Sequence, residues 1–429
     1  MTGLTRRETL KSIGAASGLA LGGSATGVLT GESDKSGTAS LSRPDTQFVG
    51  TWTASPQTPY SSGISNQGFE NQTLRMMTRT SVGGQGVRIR LANTFGDGSV
   101  TFDRVSVGLR AADRSAAVES GTLRQLTFGG DTDVTLTPGG RVLSDAVDLQ
   151  VPSEQDLVVN LYTAGATGPT TWHALPTKTS YISTGGDYTD TTDADPFTTE
   201  TTHWFYLDGV EVISPDTVGT IACLGNSITD GFASTVDANA AYPDFLAERV
   251  NDRQSLRKSV LNAGISGNRV LNDSACCGVN ALARFDRDVL AQTGVTDVIV
   301  LEGINDIGFE KLGPEEPSVT AEQIIDGYQQ LIRRAHAKGV RIIGGTLTPF
   351  KGAGYYYPEG EQKRQQVNEF IRTSGEFDGV VDFDKAIRDP DDPKQILPKY
   401  DSGDKLHPND AGYEAMAEAV DLTLFQARG

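Results

Sequence analysis

Cysteine is scarce in this chain: three among 429 residues, at 223, 276 and 277. Three cannot build a disulfide scaffold, so the core must come from apolar packing. Adjacent Cys276 and Cys277 are poorly placed to bond to each other at ordinary disulfide geometry. A bridge from one of them to Cys223 stays open. Cys223 itself sits in an apolar run and reads as core, not as a catalytic thiol. Histidine is nearly as rare, at positions 173, 203, 336 and 407. Lysine is depleted, 12 against 25 arginines, and Asp+Glu exceeds Lys+Arg by 55 to 37, a net charge of −18. So acidic a chain repels phosphate backbones, which makes nucleic acid a poor partner. An Asp-rich, Lys-poor surface suits high salt. No run is long and apolar enough for a stable membrane span. Yet 37% hydrophobic residues are enough for a core, which excludes wholesale disorder.

The N-terminus reads as an address. Thr5-Arg6-Arg7-Glu8-Thr9-Leu10-Lys11 precedes a weakly apolar, Gly/Ala-rich run from Ser12 to Leu29. Paired arginines before such a run predict a twin-arginine export signal over 1–30 and a secreted protein. No cysteine follows, so no lipid anchor is expected. Residues 31–47 are polar and read as a linker.

From 48 to 212 the pattern is β-like. Val87, Ile89 and Leu91 alternate with Arg88 and Arg90, and Val105, Val107 and Leu109 repeat the period of two. Turn signals at Gly83-Gly84-Gln85-Gly86, Asp97-Gly98 and Pro138-Gly139-Gly140 separate such runs. Many short strands predict an all-β, sandwich-like accessory domain. The 83–86 glycines read as a hairpin turn, since no helix pattern follows to make a phosphate cradle.

From 217 to 429 the period changes, with strands near 218–224, 260–263, 295–301, 340–347 and 380–383 alternating with helices. Thr320 to Lys338 is the clearest helix, with one apolar stripe, a capping box from Thr320 to Gln323 and a stop at Gly339. Alternation of this kind predicts a three-layer α/β/α parallel sheet. Sites in such sheets lie beyond the carboxyl ends of the strands.

Four blocks fall there: Gly225-Asn226-Ser227-Ile228-Thr229-Asp230-Gly231, Asn262-Ala263-Gly264-Ile265-Ser266-Gly267-Asn268-Arg269, Glu302-Gly303-Ile304-Asn305-Asp306, and Asp404-Lys405-Leu406-His407-Pro408. A serine needs a base to become a nucleophile, histidine is the usual base, and a carboxylate must orient it. Of the four histidines, His407 alone sits in a strand-end loop with a carboxylate three residues before it. A helical turn would set Asp404 and His407 on one side. Oxyanion donors fit Gly267 in its tight turn and the Asn305 side chain. Asp306 and Asp230 read as buried structural acids, and Arg269 as an ion-pair residue. The acidic run at 187, 190, 193 and 195 lacks EF-hand spacing and reads as a solvated turn.

These blocks resemble those of the SGNH (GDSL-type) hydrolases over Thr217 to Leu424. The β-rich part, with Gly50-Thr51-Trp52-Thr53-Ala54-Ser55-Pro56, is similar to the N-terminal domain of a secreted two-domain subset. The resemblance implies a flavodoxin-like fold without metal or organic cofactor. It implies Ser227 as nucleophile, His407 as base and Asp404 as its orienting acid. The backbone N–H groups of Ser227 and Gly267 and the side-chain amide of Asn305 would form the oxyanion hole. The sequence departs from the family where Asn226 replaces the usual Asp before the serine. The nucleophile elbow Gly-x-Ser-x-Gly is absent: Gly264-Ile265-Ser266-Gly267-Asn268 fails at its last position.

The expected activity is a secreted serine esterase acting on small-molecule or polysaccharide esters, with short acyl chains or acetylated carbohydrate favoured. Two alternatives stay open. One is a lysophospholipase- or thioesterase-like lipolytic enzyme. The other is a carbohydrate-binding module carrying an inactive hydrolase domain, with Trp52, Trp172 and Trp204 as stacking aromatics.

Overall fold

The computed structural model describes residues 47–175, 177–253 and 255–426. The expected export signal, and all of the expected linker but its last residue, lie outside these. Among the described residues no helix is long and apolar enough to cross a membrane.

Within residues 48–213 two larger antiparallel sheets face each other as a sandwich, completed by two short ribbons, Val100–Phe102 with Val134–Leu136 and Trp172–His173 with Trp204–Phe205. Four strands run in the order Phe48–Thr53, Leu207–Ile213, Val87–Ala92, Arg141–Leu143. Six run in the order Thr199–Thr201, Ser180–Ile182, Gln72–Arg79, Asp156–Thr163, Arg104–Leu109, Arg124–Gln125. Leu74, Met76, Val105 and Val159 of one sheet share a core with Ile89, Leu91 and Val210 of the other. The alternation in sequence reflects this shared inner face. Asp156–Thr163 departs from it, with both faces buried, because Met77, Val158 and Tyr181 on the outer face are covered by Ala116, Val118 and Phe197. Arg75 is buried on that outer face, where Nε donates to Asn160 Oδ1 at 2.7 Å and the guanidinium lies over Phe197.

The glycines at 83–86 do not turn a hairpin. The strands they join, Gln72–Arg79 and Val87–Ala92, belong to opposite sheets. The segment crosses between sheets while packed against other backbone: a Cβ on Gly83 would lie 2.4 Å from Val151 O, and one on Gly84 2.4 Å from Ile213 O. Glycine serves close approach here, not a tight reversal.

From Thr220 the chain forms a five-stranded parallel sheet. Its order is Ser259–Gly264, Thr220–Gly225, Val295–Leu301, Arg341–Gly345, Gly379–Val381. In chain order this is 2-1-3-4-5, the flavodoxin-like arrangement, with its switch point at the end of Thr220–Gly225. Tyr242–Asp252 packs with Asp410–Glu418 in one helical layer, and Ala281–Phe285, Ala321–Ala337 and Pro358–Thr373 pack in the other. The capping box is present, with Thr320 Oγ1 accepting from Gln323 N at 3.2 Å and Gln323 Oε1 accepting from Thr320 N at 2.9 Å. The last helix is shorter than its sequence pattern: it ends at Glu418, and Leu422–Phe425 is a separate 3-10 turn begun by the Asp421 cap.

The β sandwich and the parallel sheet belong to one compact unit, 45–429. Gly50 N donates to Thr293 O at 3.0 Å, and a Cβ on Gly50 would lie 3.0 Å from Leu261. Arg90 reaches Gln292 Oε1 at 2.9 Å, and Arg284 reaches Ser55 Oγ at 3.1 Å.

Candidate active site

Ser227 opens a one-turn helix, Ser227–Asp230, just after the strand Thr220–Gly225. Asn226 caps it, its Oδ1 accepting from Ile228 N at 3.1 Å. The cap needs one side-chain oxygen, which asparagine supplies as an aspartate would. The turn is tight: a Cβ on Gly225 would lie 2.0 Å from Thr229 Oγ1.

Ser227 Oγ lies 2.8 Å from His407 Nε2, and His407 Nδ1 lies 2.6 Å from Asp404 Oδ2. Ser227 and His407 are buried at 5% and 9% exposure, whereas the Asp404 side chain is 43% exposed. Residues 401–407 are not helical as the three-residue spacing suggested. They form a turn in which Asp404 Oδ1 accepts from the backbone of Leu406 and His407 at 2.9 and 2.8 Å. Lys405 takes a positive φ of 67° to close it. Side-chain-to-backbone bonds of this kind compete with helix. Burial works to raise the Asp404 carboxyl, but the bonds from the His407 ring and backbone outweigh it and hold it well below the usual range. The Phe232 ring packs on His407, centroids 4.3 Å apart.

Gly267 sits at φ +77° in the turn after Ser259–Gly264. Among the described residues, the backbone N–H groups of Gly267 and Ser227 donate to no protein acceptor. Asn305 follows Gly303 at the end of Val295–Leu301. Its Nδ2 donates to Asn268 O at 2.9 Å, and its Oδ1 accepts from Tyr355 OH at 3.0 Å, which fixes the amide's orientation. One Nδ2 hydrogen stays free. Asn268 in turn donates to Cys277 O at 3.0 Å and Val279 O at 2.8 Å. Asp306 accepts from Val270 N and Leu271 N at 2.7 and 3.0 Å, the structural role its position suggested. Burial pushes its carboxyl up to about 6. Arg269 pairs with Glu316 at 2.5 Å.

Cys276 and Cys277 are bonded to each other, against the expectation from ordinary geometry, and Cys223 is free and buried. The pair lies in the 274–278 turn, closed by Ser274 N to Gly278 O at 3.0 Å, which brings the adjacent sulfurs to one side. Tyr355 and Phe232 were not singled out from sequence, because neither carries a motif, and Cys277 stood out there only as a disulfide candidate. Their role comes from contacts made by separate loops.

Residues 223–415 match the family described as GDSL-like Lipase/Acylhydrolase. This segment is a GDSL-like hydrolase domain. It contains the Ser227, Gly267, Asn305 and Asp404/His407 blocks in that order. No curated protein matches the chain. A GDSL-like lipase from Bacteroides thetaiotaomicron is 19% identical over 48% of this chain and 87% of its own, with a TM-score of 0.36. An alpha/beta hydrolase enzyme from the metagenome of Lake Arreo, Spain, is 20% identical over 47% and 93%, with a TM-score of 0.37. The GDSL-like domain is thus a carboxylic ester hydrolase by family, and the β sandwich lies outside the matched residues.

Proposed function

We propose that the protein is a serine esterase working through Ser227, His407 and Asp404. The observation that carries this is the unbroken path of 2.8 and 2.6 Å from Ser227 Oγ through the imidazole to Asp404. His407 Nε2 takes the Ser227 proton as Oγ attacks the ester carbonyl. Asp404 accepts from Nδ1–H and stabilises the imidazolium. The tetrahedral oxyanion takes hydrogen bonds from the N–H groups of Ser227 and Gly267 and from Asn305 Nδ2. Collapse expels the alcohol, which receives its proton from His407 and leaves an acyl-serine. Water, deprotonated by His407, then attacks the acyl carbon. Collapse of this second intermediate releases the acid and returns the proton to Ser227.

Short acyl groups, including acetyl groups on carbohydrate, are the substrate class we favour. What supports this is the crowding beside the two donors: a Cβ at Gly267 would meet Cys277 and come within 3.6 Å of Phe309, and Tyr355 packs its hydroxyl on Asn305. Residues 217–429 act as the catalytic domain and 48–212 as its accessory domain. Residues 1–30 direct twin-arginine export, and the acidic surface suits salty surroundings.

Hydrolysis of nitrophenyl esters from acetate to palmitate, by wild type and Ser227→Ala at low and multimolar salt, tests the reading. Short-chain turnover that vanishes in the variant is expected. A long-chain optimum would move the substrate class to lipids, and a folded wild type inactive on every ester would overturn the assignment.

A further inference from the structure

One side chain of the β sandwich reaches the machinery behind Ser227. His173 is buried, with its Nε2 3.0 Å from Asp230 Oδ1 and its Nδ1 2.8 Å from Ser55 O. Its ring leans on Trp204, centroids 5.6 Å apart. Asp230 lies on the Ser227 turn, where its N–H donates to Asn226 O at 2.8 Å. Its other carboxylate oxygen, Oδ2, accepts from Ser266 N at 2.8 Å. Ser266 immediately precedes Gly267. One carboxylate therefore ties together the nucleophile turn, the oxyanion turn and the sandwich.

Both ring nitrogens of His173 face oxygens that can only accept, a carbonyl and a carboxylate. A neutral imidazole donates from one nitrogen and would set a lone pair against the other oxygen. The geometry calls for an imidazolium paired with the Asp230 carboxylate. Burial works against that charge, but Asp230 outweighs it and holds the ring above its usual range. The other charged groups around it are accounted for. Arg284, which donates to Ser55 Oγ, opposes the imidazolium and is itself 3.5 Å from Asp288. His203 is held below its usual range by burial. Across a cavity of about 70 Å³ that both His173 and Asp230 line stand Lys178, paired with Asp156 at 2.7 Å, together with Arg79, Glu154 and Asp244.

We propose that His173 is a positioning residue for ester hydrolysis: its imidazolium holds Asp230, and through Asp230 the Ser266–Gly267 turn, so that the Gly267 N–H points at the developing oxyanion. This rests on the esterase reading above. It gives the sandwich a part in catalysis without contact with substrate. Since an interaction made only in the transition state shows in kcat, its loss lowers kcat and leaves KM nearly unchanged. Since the imidazolium is the working form, wild-type kcat falls on the alkaline side as His173 loses its proton.

The test uses the full chain with nitrophenyl acetate across pH, comparing wild type, Ser227→Ala, His173→Gln, Asp230→Asn and the double variant. Each single substitution is expected to lower kcat roughly 10- to 100-fold with KM within about twofold. The double variant falls no further than the weaker single, because the two act as one unit. The alkaline limb of the wild type is absent in His173→Gln. A purely structural role would lower thermal stability while leaving the shape of the pH profile intact, and that result overturns the proposal. So does a kcat within about threefold of wild type in His173→Gln. Should His173→Gln not fold, Asp230→Asn and the wild-type profile decide: a flat alkaline side refutes the imidazolium. An inactive wild type refutes the esterase reading, whereas an active wild type with unaffected variants refutes only the part given to His173.

Discussion

Cys277 fills the space that a side chain at Gly267 would need. A Cβ at Gly267 would lie 2.4 Å from Cys277 Sγ and 2.9 Å from its Cβ, and the backbone there already holds φ +77°. Cys277 cannot readily yield, since it is bonded to Cys276 and its carbonyl is held by Asn268. Gly267→Ala must therefore move the turn that carries an oxyanion donor. We expect kcat to fall by at least about 100-fold, the effect of losing one such donor, with the circular dichroism of the fold retained. Full activity in Gly267→Ala would remove Gly267 from the oxyanion hole.

The cysteine arrangement predicts a thiol count. Burial pushes the Cys223 thiol up to about 12, far from the thiolate form that reacts. Native protein should show no reactive thiol to an aromatic disulfide reagent. Unfolded without reductant it should show one, and unfolded after reduction three. Two or more reactive thiols in unfolded, unreduced protein would mean that the 276–277 bond does not form.

Asp404 sits at the rim while its two partners are buried, so its chemistry separates from stability. In Asp404→Asn the amide nitrogen would face His407 Nδ1 and favour the tautomer that protonates Nε2, the wrong one for taking the Ser227 proton. We expect kcat to drop by about 10³- to 10⁴-fold. A melting temperature close to wild type should accompany it, since the side chain is 43% exposed. Loss of only a few-fold in kcat would point to another carboxylate as the partner of His407.

How far the site could be read beforehand follows from where each contact is made. Ser227 and Asn305 follow strands whose apolar runs are local signals, whereas His407 stands in the 401–407 turn before the last helix, so the α/β alternation was accessible and the strand order was implied only by the family resemblance. The path from His173 to Asp230 was not accessible. It joins residues 57 apart, and no periodicity connects a sandwich strand to a helix of another sheet. The 83–86 glycines carried the right turn chemistry but misled, because whether a glycine reverses a chain or lets two backbones touch depends on the neighbouring segment. The Cys276–Cys277 bond depends on the 274–278 turn, which spacing alone does not specify.

Asp306 makes the pH dependence of stability specific. Its folded value of about 6 lies above the 3.8 of an unperturbed aspartate, because burial outweighs the two backbone N–H bonds it accepts. A raised value means that the folded state binds the proton more tightly. The stabilising contribution is then fully present below the unfolded value and is lost as pH rises through the folded one. The difference corresponds to about 3 kcal/mol. Asp306→Asn keeps an acceptor oxygen for the backbone and never ionises. Between pH 4 and pH 7 the unfolding free energy of wild type relative to Asp306→Asn should therefore shift in favour of the variant by up to about 3 kcal/mol. Urea unfolding at the two pH values measures it, with both proteins carrying Glu302→Gln because the Asp306 charge adds to the burial that raises Glu302. A difference that stays constant, or shifts toward wild type, would show that Asp306 is ionised in the folded protein at both pH values and that its backbone bonds outweigh its burial.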